Sequence, residues 1–527
     1  MLNRRILFAI AFFFLTVWVF QYFTHKNDNN GPGGSKVASG EVKKGQFYSA
    51  PVKQCWHREP QREIDFVDTT VLPEQEKTIQ VQTPLYQMSF SNFGGILKSL
   101  SFKKHKGEKD KLLQTVSSDP IEQREEGAFL MALGEKTPYL YAFVGQERVN
   151  GTQSIIFKAK TEDWVIQKTY TLHDENYKIG VKLDFEPRKQ DVKPLNVRLF
   201  FPAPDLDPGL PSDINKMSGV VTRDGVRIEK VTQSQELAGV WGLPVIFGGE
   251  NKYFAHTLFK DPKSFAQGGY YKRVNRKLFA IVEGSPIKEK KSYNLSFYIG
   301  PKLLKDLSIV DPRLEDLLSF GWLSWICKLL LRLLEFLYSY IGNFGLAIIL
   351  LTILLKLPFM PLSISSRKKM EEYQKYQPTI QRIRAKYKND LKKQQEEIMI
   401  FHKQHNLSPA TPMVGCLPLL IQLPILFSLY RVLGSYLSLY HAPFFGWLQD
   451  LSAKDPYYIL PIMMGVTMIW QQRMSPVGDD KQRMMMMFMP ILMTAIFLNF
   501  PAGLVLYWFV NNLLTALEDV LRKKVFS

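Results

Sequence analysis

From Leu317 onward the chain carries five apolar blocks, at 342–362, 413–439, 457–473, 485–500 and 503–521, with polar segments between them. A helix needs roughly 17–25 mainly apolar residues to cross a bilayer, and hydrocarbon offers no partners for an open backbone. This half is therefore constrained to a bundle of membrane helices. The region before it, 24–312, is polar, with short strand-like runs broken by turn residues. A mean hydropathy of -0.11 averages these unlike halves and describes neither.

A sixth apolar block at 6–23 follows Arg4 and Arg5. Its length and the bulky Gln21-Tyr22-Phe23 leave no small-residue cleavage site, so it reads as an uncleaved anchor. The Asn/Gly-rich segment within 24–40 is a flexible tether. Much of the net charge of +18 collects between the second and third blocks, at Lys481 and Arg483, and at Arg522, Lys523 and Lys524. Short cytoplasmic loops are enriched in Lys and Arg, which puts both termini in the cytoplasm and the large polar region outside. The expected fold is thus a polytopic α-helical membrane protein of six spans with a large external β-sandwich domain, 41–312. Cys55, Cys327 and Cys416 lie too far apart in kind of environment to form a disulfide framework.

Within the polar region, 164–172 and 177–185 alternate apolar and polar residues around His173-Asp-Glu-Asn176, a hairpin signal with half-buried strands. Segments 89–102 and 290–300 repeat the alternation and extend the antiparallel sandwich. Trp164 and Trp241 fit either a sugar-binding face or, with greater weight, the core. His57, His105, His173 and His256 show no metal or nucleophile spacing, and read as surface or loop residues. No catalytic set, phosphate loop, dinucleotide fingerprint or zinc pattern occurs, so neither enzyme activity nor a cofactor is expected.

Between the sandwich and the second span, Asp311-Pro312 signals a helix start. The stripe Leu314, Leu317, Leu318, Trp322, Trp325, Leu329 then suits an interfacial helix over 313–341. Residues 365–411 read as a cytoplasmic helical hairpin turning at Asn389-Asp390, with Pro378 in the first turn of its own helix. Its basic residues Arg382, Arg384, Lys386, Lys388, Lys392 and Lys393 serve either topology alone or contact with ribosomes, targeting factors and clients. Methionines at 463, 464, 468, 474 and 484–487 are lipid-facing filler or an adaptable surface.

Lys356 stands inside the second apolar block. An ammonium in hydrocarbon costs roughly 2.5–3.5 kcal/mol, so such residues usually face water, a partner or a passing substrate. Eleven residues before Arg367 place it about 16 Å deeper, close enough for its stem to snorkel to the headgroups. Both readings stand on spacing alone. Thr352, Gln422, Gln472, Asn511 and Asn512 are further polar groups at membrane depth, which prefer a bundle interior or a wet cavity.

Four stretches carry a resemblance: Gly415-Cys-Leu-Pro-Leu-Leu-Ile-Gln-Leu-Pro-Ile-Leu-Phe427, Ala442-Pro-Phe-Phe-Gly-Trp to Pro461, Met464-Gly-Val-Thr-Met468 with Gln472-Arg-Met-Ser-Pro476, and Phe500-Pro-Ala-Gly-Leu-Val-Leu-Tyr-Trp508. With them the chain resembles the YidC membrane protein insertases of Gram-negative bacteria, over essentially its whole length. The resemblance implies a five-helix insertase core in the inner membrane, 342–527, and a periplasmic β-super-sandwich similar in fold to sugar-epimerising domains. It implies a hydrophilic groove, open to cytoplasm and lipid, in which Lys356, Thr352, Gln422, Gln472 and Trp508 match groove positions. Many members have arginine at the Lys356 position, and lysine keeps the charge while losing the planar donor fork. Many have tyrosine where Trp508 stands. The partners implied are nascent membrane proteins, the Sec translocon, the ribosome and signal recognition particle pathway, and the phospholipid bilayer; no specific nucleic-acid sequence is implied. A secondary transporter would show internal repeats, and a sugar-modifying enzyme paired acid/base residues; the sequence shows neither.

Overall fold

The computed structural model describes residues 76–106, 112–117, 127–133, 140–206, 217–223, 227–231, 240–242, 244–274, 277–318, 320–405, 407, 417–474 and 480–526. The expected anchor at 6–23 and tether at 24–40, with Cys55, His57 and Cys416, lie outside the described residues. The chain divides into two compact units, Met1–Gly321 and Trp322–Ser527.

Among the described residues, the first unit holds antiparallel sheets of nine, five and four strands. In the nine-stranded sheet, Thr152–Lys160, Trp164–His173, Lys178–Pro187 and Lys291–Pro301 are consecutive neighbours. Alternate residues of Trp164–His173 are buried, which is the period-two pattern of a sheet with one wet face. Leu172 pairs with Ile179 across the expected hairpin. The four- and five-stranded sheets meet at the Leu97/Ala128 bridge and cover the buried face of the large sheet. Aromatic pairs join the layers: Phe102 stacks on Phe254 at 4.8 Å, Phe247 on Tyr271 at 4.7 Å, and Phe129 meets Phe297 edge-on at 4.8 Å. Each such ring contributes about 1.5–3 kcal/mol through burial. Trp164 and Trp241 are buried with this core.

Two readings of this unit change. Segment 89–102 is two strands rather than one, Tyr86–Ser91 and Ile96–Lys106, because Gly94 and Gly95 take φ of 64° and 54°, which a side chain resists. His256 is core rather than surface: it is 1% exposed, with Nδ1 2.8 Å from the Pro202 carbonyl and Nε2 3.0 Å from Thr115 Oγ1. Burial pushes its pKa down to about 4, since charging would leave an imidazolium without water. His105, half-buried beside Lys104, is also held at about 4 by desolvation.

Helix α1 (Leu304–Val310) and a short 3-10 segment, Pro312–Leu317, close this unit, and Asp311 caps the latter by accepting from the Arg313 amide. The helix expected over 313–341 is therefore divided. Its α-helical part, α2 (Ser324–Ile341), buries Cys327, Leu330, Leu331 and Leu334, while Trp325 and Leu329 of the expected stripe are exposed.

The second unit continues with α3 (Phe344–Lys375), α4 (Gln377–Lys386), α5 (Leu391–Gln404), α6 (Leu417–Ser435), α7 (Ile459–Met474), α8 (Asp480–Phe497) and α9 (Ala502–Phe526). Among the described residues, Phe344–Lys375 and Ala502–Leu521 are long and apolar enough to cross a membrane. Helix α3 runs through Pro358 and Pro361 without a break and carries the apolar block at 342–362 straight into the hairpin. Each proline removes only one helix hydrogen bond, which a neighbouring group can replace in a packed bundle. Gly345 lies directly under the Phe444 ring, so the loop after α6 rests on the start of α3. That loop is fixed by buried Asp455, which accepts from Trp447 Nε1 at 3.1 Å and caps α7 through the Leu460 amide at 2.7 Å. Backbone bonds from Ala502 to Ala453 and from Gly503 to Leu451 tie it to the start of α9.

Helices α4 and α5 form the antiparallel hairpin, with Pro378 in the first turn of α4 and Asp390 capping α5 through the Lys392 and Lys393 amides. The arms meet through Tyr376 against Phe401 and His405 and through Gln394 Nε2, which donates to the Arg384 carbonyl at 2.9 Å, while Tyr373 at the end of α3 meets His402. Leu391 at the start of α5 is exposed.

Candidate functional site: a polar cavity among apolar helices

Helix α3 places Thr352, Lys356, Ser363 and Arg367 at spacings of four, seven and four, which is one helical face. Helix α9 does the same with Trp508, Asn511, Asn512, Thr515 and Glu518. The two faces meet, together with Gln422 and Ile425 of α6 and Met468 and Gln471 of α7, around a cavity of about 300 Å³. A polar stripe on an otherwise apolar helix avoids hydrocarbon when it turns inward, which explains why these faces converge.

Lys356 does not reach out along its own helix to a lipid-facing surface. Its Nζ donates to Thr515 Oγ1 at 2.5 Å and lies 3.5 Å from Glu518 Oε2, with the side chain 19% exposed. Thr515 donates its own proton back to the Asn511 carbonyl at 2.7 Å, which leaves its oxygen free to accept from the lysine. Arg367 forms an ion pair with Asp519, one residue on from Glu518. Thr352 is buried and donates to the Ile348 carbonyl at 2.7 Å. Gln422 Nε2 donates to the Tyr507 hydroxyl at 3.1 Å. Several polar atoms here have no hydrogen-bond partner among the described residues: Trp508 Nε1, Asn512 Nδ2, and both carboxylate oxygens of Glu518. Buried groups of this kind carry a cost of about 1–3 kcal/mol each, which a polar guest or water relieves.

Four of the five groove residues expected from sequence, Lys356, Thr352, Gln422 and Trp508, line this one cavity. Gln472 does not line it, and its neighbour Gln471 does. Successive residues on a helix point about 100° apart, and of this pair Gln471 is the one turned to the cavity. Tyr507 brings a hydroxyl to the cavity beside Trp508. Thr515, Glu518 and Asp519 escaped the sequence reading, although they continue the spacing of Asn511 and Asn512. Arg382, Lys386, Lys388, Lys392 and Lys393 are exposed and Arg384 is half-buried, clustered around the turn end of the α4–α5 hairpin rather than at the cavity. Among the described residues there is no cluster of three or more His, Cys, Asp or Glu side chains able to hold a metal.

Residues 336–527 match the family described as 60Kd inner membrane protein, and residues 78–333 match the YidC periplasmic domain. A protein of Syntrophus aciditrophicus called membrane protein insertase YidC is 37% identical over 473 residues, 84% of each chain. One of the same description from a Geobacter species is 34% identical over 458 residues, 84% of this chain and 85% of the relative. A crystal structure of an active YidC insertase aligns over 84% of this chain and 92% of its own, at 20% identity and a TM-score of 0.38.

Proposed function

The chain belongs to the YidC family of inner-membrane proteins, and from that premise we propose that it is a membrane protein insertase whose client site is the cavity between α3, α6, α7 and α9. The observation that carries the reading is the convergence of Thr352, Lys356, Gln422 and Trp508 on one cavity within apolar helices. A short hydrophilic tail of a nascent chain enters this polar space, where water, amide and hydroxyl groups lower its transfer cost. Its apolar segment leaves along the greasy faces of the third and fifth spans. Transfer of a span of about twenty residues into lipid, with the membrane potential acting on acidic residues, supplies the driving force without a nucleotide. In this reading the chain has six spans, cytoplasmic termini and a periplasmic sandwich. The basic end of the hairpin, Arg382 to Lys393, receives the ribosome and signal recognition particle pathway, and the Sec translocon is a partner.

Photocrosslinkers placed at Leu355 or Met468 in the cavity, and at exposed Leu357 as a control, test this with a stalled nascent membrane protein. Adducts are expected from the cavity positions when the client's polar tail is short. Adducts confined to Leu357 would contradict the cavity as client site.

A further inference from the structure

The cavity does not hold a cation waiting for a client. Lys356 and Arg367 are matched by Glu518 and Asp519, so the four charges sum to zero. The pairs are unequal in kind. Lys356 spends a hydrogen bond on Thr515 and meets Glu518 by proximity, at 3.5 Å. The Glu518 side chain is 5% exposed, lines the cavity, and takes no hydrogen bond on either oxygen among the described residues. An ionised carboxylate has about four acceptor sites, so this one is held by Coulomb attraction without geometric locking.

Resting on the reading of the cavity as client site, we propose that Glu518 is a specificity-determining residue: an internal carboxylate that occupies Lys356 and that an acidic client segment must displace. A client carboxylate entering the cavity finds the lysine anchored to Thr515 with donor capacity to spare, because an ammonium has three N–H groups. Gaining that contact means separating Lys356 from Glu518 and bringing a second negative charge close to it. Both steps disfavour acidic segments relative to neutral ones. Glu518 thus sets how strongly the groove responds to client charge, and the same geometry qualifies any experiment on the lysine alone. Removing Lys356 leaves Glu518 buried and uncompensated, a fault separate from loss of client contact.

The test uses the full chain in vesicles of phosphatidylethanolamine and phosphatidylglycerol. Two single-span clients differ only in whether the translocated tail carries aspartates or asparagines, and the ratio of their insertion rates is read. Glu518→Gln, isosteric and neutral, is expected to raise the acidic-to-neutral ratio about three- to fivefold, the change that matches a part-buried ion pair. Glu518→Ala should shift it in the same direction, and thermal unfolding of both variants shows that they are folded. In Lys356→Met/Glu518→Gln the gain should vanish. An unchanged or lower ratio in both single variants overturns the proposal. So does a rise that persists without the lysine, which would reveal general repulsion instead of competition for Lys356. Failure of the unaltered chain to insert either client would instead count against the insertase reading.

Discussion

Lys168 of the first unit and Lys356 of the second are both drawn away from open water, and the two are held in opposite ways. Lys168 lies on the inward face of Trp164–His173 and donates to the carbonyls of Phe129 at 2.7 Å, Gly94 at 2.9 Å and Gly95 at 3.3 Å. All three N–H groups are used. Desolvation draws its pKa down to about 7, and the three acceptors oppose that, because a neutral amine would turn its lone pair on one of them. Lys356 has one hydroxyl and one loosely placed carboxylate. The difference separates a charge that is part of the architecture from one able to exchange partners: full satisfaction fixes a buried cation, and partial satisfaction leaves it responsive.

The comparison breaks first at Lys168. Lys168→Met takes this donor from the buried carbonyls of Gly94 and Phe129, while the Gly95 carbonyl keeps the Tyr170 hydroxyl at 2.5 Å. A loss of about 2–4 kcal/mol is expected, read as a lowered unfolding midpoint in the β-sheet circular dichroism of the full chain. Wild-type stability would show that the lysine is not the pin described here.

The next effect is acid lability. His256 has a folded pKa below its unfolded value, so the stability it contributes is present above about pH 6.5 and is lost as pH falls toward 4. Roughly 3 kcal/mol is at stake for this fully buried ring, with His105 acting in the same direction. Denaturation followed from pH 7 to pH 4 should show that slope, and His256→Gln should flatten it.

These strands were legible in the sequence because a half-buried sheet alternates with period two, and Trp164–His173 does so without exception. What alternation could not supply was the Gly94-Gly95 turn, whose positive φ angles matter only once Lys168 and Tyr170 reach it from another strand. In the helices, Lys356, Thr352, Gln422 and Trp508 could be picked out as polar groups in apolar surroundings. Glu518 and Asp519 were hidden by their position near the end of an apolar block, where acids usually face water. Helical spacing put Glu518 on the face of Asn511 and Thr515, yet only packing of α9 on α3 shows that this face is covered. The choice between Gln471 and Gln472 rests on helix rotation, which no local pattern records.

Smaller effects sharpen the lysine contrast. Lys356→Arg keeps the charge and should keep insertion within about twofold, since Thr515 and Glu518 both accept from a guanidinium. A larger loss in a folded protein would mean that the cavity recognises the compact ammonium itself. Reversing Lys386, Lys388, Lys392 and Lys393 together should slow delivery by ribosomes at low salt and matter less at high salt, because these charges are exposed. Helices α3 and α9 should remain folded, and delivery that ignores both charge and salt would leave the hairpin with a topological role alone.

The most direct test of an exchangeable lysine in a client-receiving cavity is aqueous maleimide labelling of the full chain in membranes. Its three native cysteines are replaced by serine, and Lys356→Cys is compared with Lys168→Cys. The account predicts that the Lys356→Cys protein is labelled and that a stalled client protects it, while the Lys168→Cys protein resists labelling until it is denatured. Labelling at position 356 that is absent, or that a bound client leaves unchanged, would contradict it.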